Sequence, residues 1–337
     1  MGRAFVKATG LLVVGLSMLA AAGWGVLALR FWDHADSGLR SALAIAYALC
    51  SLILILGFAV RRQWRWRCLS AFALLFALPF FGWLSLAPSN ERDWQPDGAV
   101  LAYASIAGDR ITLHNIRNFD YRTETDFTPR YYDHTFDLRQ LSSVDLFAVY
   151  WMGPAIAHVF VSFGFADGAH VAFSIEARKE RGESYSSIQG FFRQYELLYV
   201  VGDERDIVRL RTNYRHDPPE QVYLYRLQGE IANGRRLFLD YLRQLNELKS
   251  HPQWYNSLTS NCTNTIWLHA RVVPGHVPYS WKILLSGYLP EYLYQHGRLD
   301  TRMPFAELER RAHVNALAQA ADGAADFSQR IRAGLPN

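Results

Sequence analysis

Three long apolar runs open the chain, about Ala8 to Leu29, Ala42 to Val60 and Cys68 to Ala87. Each approaches or exceeds the ~20 residues that a helix needs to cross the hydrocarbon core of a bilayer. The first run, preceded by Arg3 and Lys7, has the charged start of a signal peptide. Its length exceeds the usual ~7–15 apolar residues and two more spans follow, so the pattern predicts an uncleaved anchor. The loops predict its orientation. Arg61-Arg62-Gln63-Trp64-Arg65-Trp66-Arg67 carries four arginines and no acid, whereas the Arg30–Arg40 loop sets Asp33 and Asp36 against its terminal arginines. By the positive-inside rule the N-terminus and the Arg-rich loop lie in the cytoplasm of a bacterial inner-membrane protein, with Trp64 and Trp66 at the interface. Three crossings then place residues 89–337 outside the cytoplasm.

Beyond Pro88-Ser89-Asn90 the period changes from a solid apolar run to alternation. Ala99–Ile106 and Arg110–Ile116, joined at Gly108-Asp109, form a predicted hairpin. Asp145–Met152, His158–Phe165, Val171–Ala177, Leu197–Val201, Ile207–Arg211 and Gln221–Leu227 are further predicted strands, and Ser186–Tyr195 a short helix. From Arg235 to Leu248 the period lengthens, with Leu237, Phe238, Tyr241, Leu242, Leu245 and Leu248 on one helical face. Asn261–Val272 is the next predicted helix, with Ser260 or Asn261 as N-cap, and more follow toward Ala333. The expectation is an α+β chain: a three-helix anchor (1–88), an antiparallel sheet with helices gathered at its C-terminal end (89–301), and a helical tail (302–337).

Composition adjusts this picture in two places. Half of the residues are apolar, yet the mean hydropathy is −0.06, because an apolar quarter is joined to an ordinary charged remainder. That remainder, about 250 residues, is long enough to bury its own core without staples. The net charge is +4, and the one basic run with interleaved aromatics lies between two spans, so nucleic acid is not an expected partner.

Candidate chemistry centres on cysteine. Cys50 and Cys68 lie in or beside spans, which leaves Cys262 alone in the outer domain. A free cysteine is commonly just a small buried hydrophobe. An unpaired one in an oxidising compartment is also a candidate reactive thiol. Thr259-Ser260-Asn261-Cys262-Thr263-Asn264 turns from loop into helix, and a helix N-terminus stabilises the thiolate. A base is needed, and His158, at the start of a predicted strand, is the candidate; a structural histidine is the alternative. His170 opens the next strand, twelve positions on. A two-residue Asp167-Gly168 turn would put the two histidines on opposite faces. A three-residue loop with Gly168 left-handed would pair His158 with Glu176 and His170 with Gly164, all on one face. Either His170 or Glu176 is then placed to orient His158. Binding candidates are Asn261 and Glu176, with Arg178 and Arg193 on the substrate side. His251, His269, His276 and His296 lack ligand spacing, so no metal and no cofactor is expected. No Gly-x-Ser-x-Gly elbow is present.

Several stretches resemble the bacterial family of the Lnb N-terminal periplasmic domain. They are Asn115–Arg122, Ile156–Phe165, Ser174–Glu180, Phe192–Leu197, Asp203–Asp206 and Tyr255–Thr263, in order over about residues 95–272. The family's namesake is a lipoprotein intramolecular transacylase that looks like a thiol acyltransferase. More distantly, the order of His, His and Cys is similar to the permuted NlpC-like (papain-like) thiol hydrolases and acyltransferases. That resemblance implies a permuted papain/NlpC-like fold with Cys262 as the acylated thiol, His158 as base and His170 as its orienter. It implies a membrane-anchored acyltransferase working on lipid or lipoprotein acyl groups through an acyl-thioester. A thiol amidase or peptidase of the cell envelope, and a non-catalytic envelope scaffold, are the alternatives.

Overall fold

The computed structural model describes residues 2–32 and 36–335, and the side chains of all of these except 2–4 and 7. Asp33 and the side chains of Arg3 and Lys7, used above for orientation, therefore lie outside what is described. The chain forms two compact units, Met1–Pro88 with Ser186–Gln194, and Ser89–Tyr185 with Tyr195–Asn337.

The first unit is built on α1 (Gly2–Arg30), α2 (Ser37–Val60) and α3 (Arg65–Leu84). All three are long and apolar enough to cross a membrane. Their outer faces leave Leu16, Ile53, Leu74 and Leu78 more than half exposed, which suits a hydrocarbon solvent and not water. Small residues set their spacing: a Cβ on Gly25 would lie 2.5 Å from the Tyr47 ring, and one on Gly57 2.8 Å from Cys68 Sγ. The predicted helix Ser186–Tyr195 shrinks to a single 3₁₀ turn, Gln189–Phe191, because Arg193 takes a positive φ of 58°. Arg193 then donates from Nη1 to the carbonyls of Trp83, Leu84 and Leu86 at 3.0–3.1 Å. The carbonyls of Trp83 and Leu84 belong to the end of α3, where a cation complements the helix dipole, and that of Leu86 lies just beyond it.

The second unit is an eight-stranded sheet. Its strands are β1 (Tyr103–Ala107), β2 (Arg110–Arg117), β5 (Tyr131–Asp137), β6 (Leu141–Tyr150), β7 (His158–Phe165), β8 (His170–Arg178), β9 (Glu196–Gly202) and β10 (Gln221–Arg226). A separate ribbon pairs β3 (Asp120–Tyr121) with β4 (Phe127–Thr128). The spatial order is β1-β2-β9-β8-β7-β6-β10, with β5 also on β2. Every pairing is antiparallel except β2 with β9, which meet in parallel at Arg117 and Gly202. The sheet is thus mixed and not wholly antiparallel. Gly202 permits this junction, since a Cβ there would lie 3.0 Å from the Arg117 carbonyl oxygen.

The predicted strand at Ile207–Arg211 is instead α4 (Glu204–Arg209), continued by a wide turn to Tyr214. Asp203 caps it by accepting from Arg205 N–H, and Glu204 and Asp206 supply acids to its first turn. Helices cover both sheet faces. On one, α5 (Ile231–Ser250) and α6 (Cys262–Ala270) bury Phe238, Tyr241 and Ile266 against Val159, Val161 and Phe173. Short helices α7 (Trp281–Leu284), α8 (Leu289–Gln295) and α9 (Phe305–Ala312) follow, and α8 and α9 add Leu289 and Leu308 to the same core. On the other face, α10 (Asn315–Ala320) and α11 (Phe327–Arg330) join α4 in burying Ala318, Phe327 and Ile207 against Phe147, Phe160 and Ala172.

Candidate active site

The site forms where β7 and β8 part. Their ladder runs from Gly164 opposite His170 to Val161 opposite Phe173, and stops there. The turn is the three-residue form: Gly168 has φ +88°, Phe165 N–H donates to the Ala169 carbonyl at 2.9 Å, and Gly168 N–H to Phe165 at 3.0 Å. Extending the same register sets His158 opposite Glu176, on the face that also carries Ser174 and Phe160. Because the strands separate beyond Val161, the Val159 amide faces no strand on that side. It hydrogen-bonds the Cys262 thiol instead.

Cys262 is the first residue of α6. Asn261 is the cap: its side-chain carbonyl accepts from Asn264 N–H at 2.9 Å, and its amide donates to the Ser257 carbonyl at 2.9 Å. The helix packs on the face opposite His158, so the thiol reaches the imidazole only through the open end of the ladder. There the two side chains hydrogen-bond.

His158 Nε2 lies 2.7 Å from Ser174 Oγ and 3.1 Å from Glu176 Oε1, and Ser174 donates to the same carboxylate oxygen at 2.6 Å. Both neighbours of Nε2 are thereby satisfied as acceptors, so Nε2 carries a proton and Nδ1 is left for the sulfur. The electrostatics follow from that order. Burial is the largest influence on His158 and lowers its pKa, and Arg211 works the same way, but Glu176 and Cys262 together outweigh them and push the imidazole up to about 9. Burial works to raise the Cys262 thiol, yet the imidazolium and the Val159 amide bring it below its ordinary value. Glu176 is held well below the carboxylate range despite burial, by His158, Arg211 and Ser174. Both shifts favour a thiolate–imidazolium pair, the reactive form of a cysteine nucleophile.

Arg211 extends the relay. It donates to Glu176 at 3.0 Å and to Glu220 at 3.3 Å, and Glu220 also holds Arg215 at 2.8 Å. Sequence reasoning missed Ser174, Arg211 and Glu220. Ser174 had a signal, two positions from Glu176 on one strand face. Arg211 had none, being read into a strand.

The other candidates lie elsewhere. His170 sits at the far end of the hairpin, six residues or about 20 Å of strand from the His158 position. Its Nδ1 donates to the Gly168 carbonyl at 3.0 Å and its ring folds over Gly164, so the structure does not bring it to His158. Arg178, expected on the substrate side, is 2% exposed. It donates to the carbonyls of Gly98 and Ala99 and to Asn90, and lies 4.1 Å from the Trp94 ring. Every arm of its guanidinium is used in pinning the 90–99 segment. Arg193 belongs to the first unit, as the cap of α3. Among the described residues no group of three His, Cys, Asp or Glu is placed to hold a metal ion.

Three membrane-length helices, and a sheet domain that sets a thiol, an imidazole and a carboxylate in line, define a membrane-anchored protein with a cysteine–histidine–glutamate site. Residues 127–287 match the model of the Lnb N-terminal periplasmic domain, the family that the chain's motifs resemble. The match spans Cys262, His158 and Glu176, and with the three spans it makes the sheet domain extracytoplasmic. Comparison with curated proteins and with solved structures finds no match.

Proposed function

We propose that this protein is a cysteine-dependent acyltransferase of the bacterial inner membrane, acting on lipid or lipoprotein acyl groups. One observation carries the reading: the Cys262 thiol interacts with the His158 ring while Ser174 and Glu176 hold Nε2, which leaves Nδ1 for the sulfur. The Cys262 thiolate attacks the ester carbonyl carbon. Val159 N–H and the free N–H groups in the first turn of α6 stabilise the oxyanion. As the C–O bond breaks, His158 passes its Nδ1 proton to the departing alkoxide, leaving an acyl-thioester and a free alcohol. An acceptor amine, hydroxyl or water then attacks the thioester, and His158 takes its proton and returns the thiolate. The permuted papain-like arrangement and the inner-membrane location, N-terminus inside, belong to this reading. The Arg61–Arg67 loop supports that orientation, and the anchor raises the concentration of bilayer substrates at the site.

The test is covalent trapping. Full-length protein in detergent, given a phospholipid with an alkyne-tagged acyl chain, should acquire a hydroxylamine-sensitive label. Cys262→Ala should lose it entirely, and His158→Ala should lose at least ~10²-fold in rate, the usual scale for a general acid–base group. Undiminished labelling of Cys262→Ala would falsify the reading.

A further inference from the structure

The second unit holds an apolar cavity of about 220 Å³ on the α6 side of the sheet. Its walls include Val144, Leu146 and Val161 from the sheet, Leu237 from α5 and Ile266 from α6. Thr263, the residue after the nucleophile, is also part of the wall, and its hydroxyl lies 3.7 Å from Cys262 Sγ. Val161 is two residues from the amide that binds the same sulfur. The exposed lining residues Glu230 and His276 mark the opening to solvent.

From this placement we infer that the cavity receives the acyl chain carried on Cys262 and that its depth sets the preferred chain length. The inference rests on the acyltransferase reading and names the part of the substrate that reading leaves open. The chemistry of the wall selects the occupant. An extended peptide brings an N–H and a C=O with every residue, each needing a partner once out of water. The wall is mostly apolar, and its polar residues, among them Ser142, Ser143 and Asn233, are too few to serve every peptide group, whereas a hydrocarbon chain needs no partner and gains by leaving water. The cavity lies along the face of α6 that continues from Thr263 through Ile266 to Ala270, so its wall begins at the residue next to the thiol. The polar hollow on the other face, about 80 Å³ beside Glu176, offers no comparable room, and its Arg211 and Arg215 are already paired with Glu176 and Glu220. In the covalent step the chain moves with the carbonyl: one C–S bond forms, one C–O bond breaks, and the alcohol leaves with the proton from His158.

The experiment compares p-nitrophenyl butanoate and p-nitrophenyl dodecanoate as acyl donors, reading nitrophenolate release and the mass of the Cys262 adduct in the full chain. Leu237→Trp, which fills the cavity, should lower the dodecanoate-to-butanoate rate ratio by about tenfold or more. Leu293→Ala, which widens the same wall, should shift preference toward longer esters and carries the test by itself if the tryptophan variant does not fold. An unchanged ratio in the folded variants overturns the chain-pocket inference while leaving the thiol chemistry standing. Failure of both esters to acylate wild-type Cys262, with iodoacetamide still alkylating it, overturns the acyltransferase reading itself.

Discussion

The state of Cys262 is decided by a carboxylate it does not touch. Against burial, Glu176 together with Cys262 itself raises the imidazole to about 9, and the imidazolium in turn lowers the thiol. The raised His158 pKa also contributes to stability. That contribution is fully present below the unfolded value of about 6.5 and is lost as pH rises through about 9. Glu176→Gln keeps the shape and removes the charge. Its iodoacetamide alkylation profile should move to higher pH, because the thiol regains its ordinary acidity, and its acyl transfer should fall by at least tenfold. His170→Ala, at the other end of the hairpin, should leave the profile where it is; a shift as large as that of Glu176→Gln would show that His170 acts at the site. Cys262 and His158 were legible because a lone thiol at a helix start and a histidine at a strand start are local patterns. Glu176 was legible as one of two partners, and the turn chose between them. Arg211 was not legible, because its contact with Glu176 depends on the packing of α4 and its extension against the sheet.

At the scale of elements, α6 has to deliver its first residue through the gap between β7 and β8, and two contacts hold it there. Asn261 caps the N-terminus. Two turns on, His269 is clamped by Asp240 at 2.8 Å and Tyr199 at 2.7 Å, with the Tyr241 ring stacked on it at 3.9 Å. Asn261→Ala should lower stability by about 1 kcal/mol, as loss of an N-cap does, measured by chemical denaturation of the full chain in detergent. Asn261→Asp should restore that stability, since aspartate caps as well. It should also slow thiolate alkylation, since a negative charge beside Cys262 disfavours a second one. Equal reactivity in the two variants would mean the cap serves the fold alone. The sequence pattern identified α5 and α6 because each has a helical period or a cap written locally. It mistook α4 for a strand because Ile207-Val208-Arg209-Leu210 is a short apolar run, which periodicity alone does not assign. The Asp203 cap and the acids after it were the available signal.

At the scale of the whole molecule, the part of the fold least visible in the sequence is the use of both sheet faces. Composition announces an anchor and a sheet domain, but nothing in residues 313–335 says that they close the sheet's second face. That follows from long-range pairing. Arg332, just past α11, binds Asp145 at 2.8 Å and Glu204 at 2.6 Å, and both acids are fully buried. Glu204 also accepts from Ser162, while Arg226 shares Asp145. The charge of Arg332 is what holds Glu204 down to about 2 against its burial. Removing one partner of such a buried set is costly because the acid is left without its counter-charge, typically ~3–5 kcal/mol. Arg332→Met should therefore destabilise the sheet domain by roughly that amount, read as a lower denaturation midpoint. Asp145 keeps Arg226 in that variant, so most of the cost falls on Glu204. Pairing Arg332→Met with Glu204→Gln should then recover a large part of it, because a neutral amide can keep the Ser162 hydrogen bond without an unpaired charge. No recovery in the double variant would mean that the tail holds the sheet through Phe327 and Ile331 and not through its arginine.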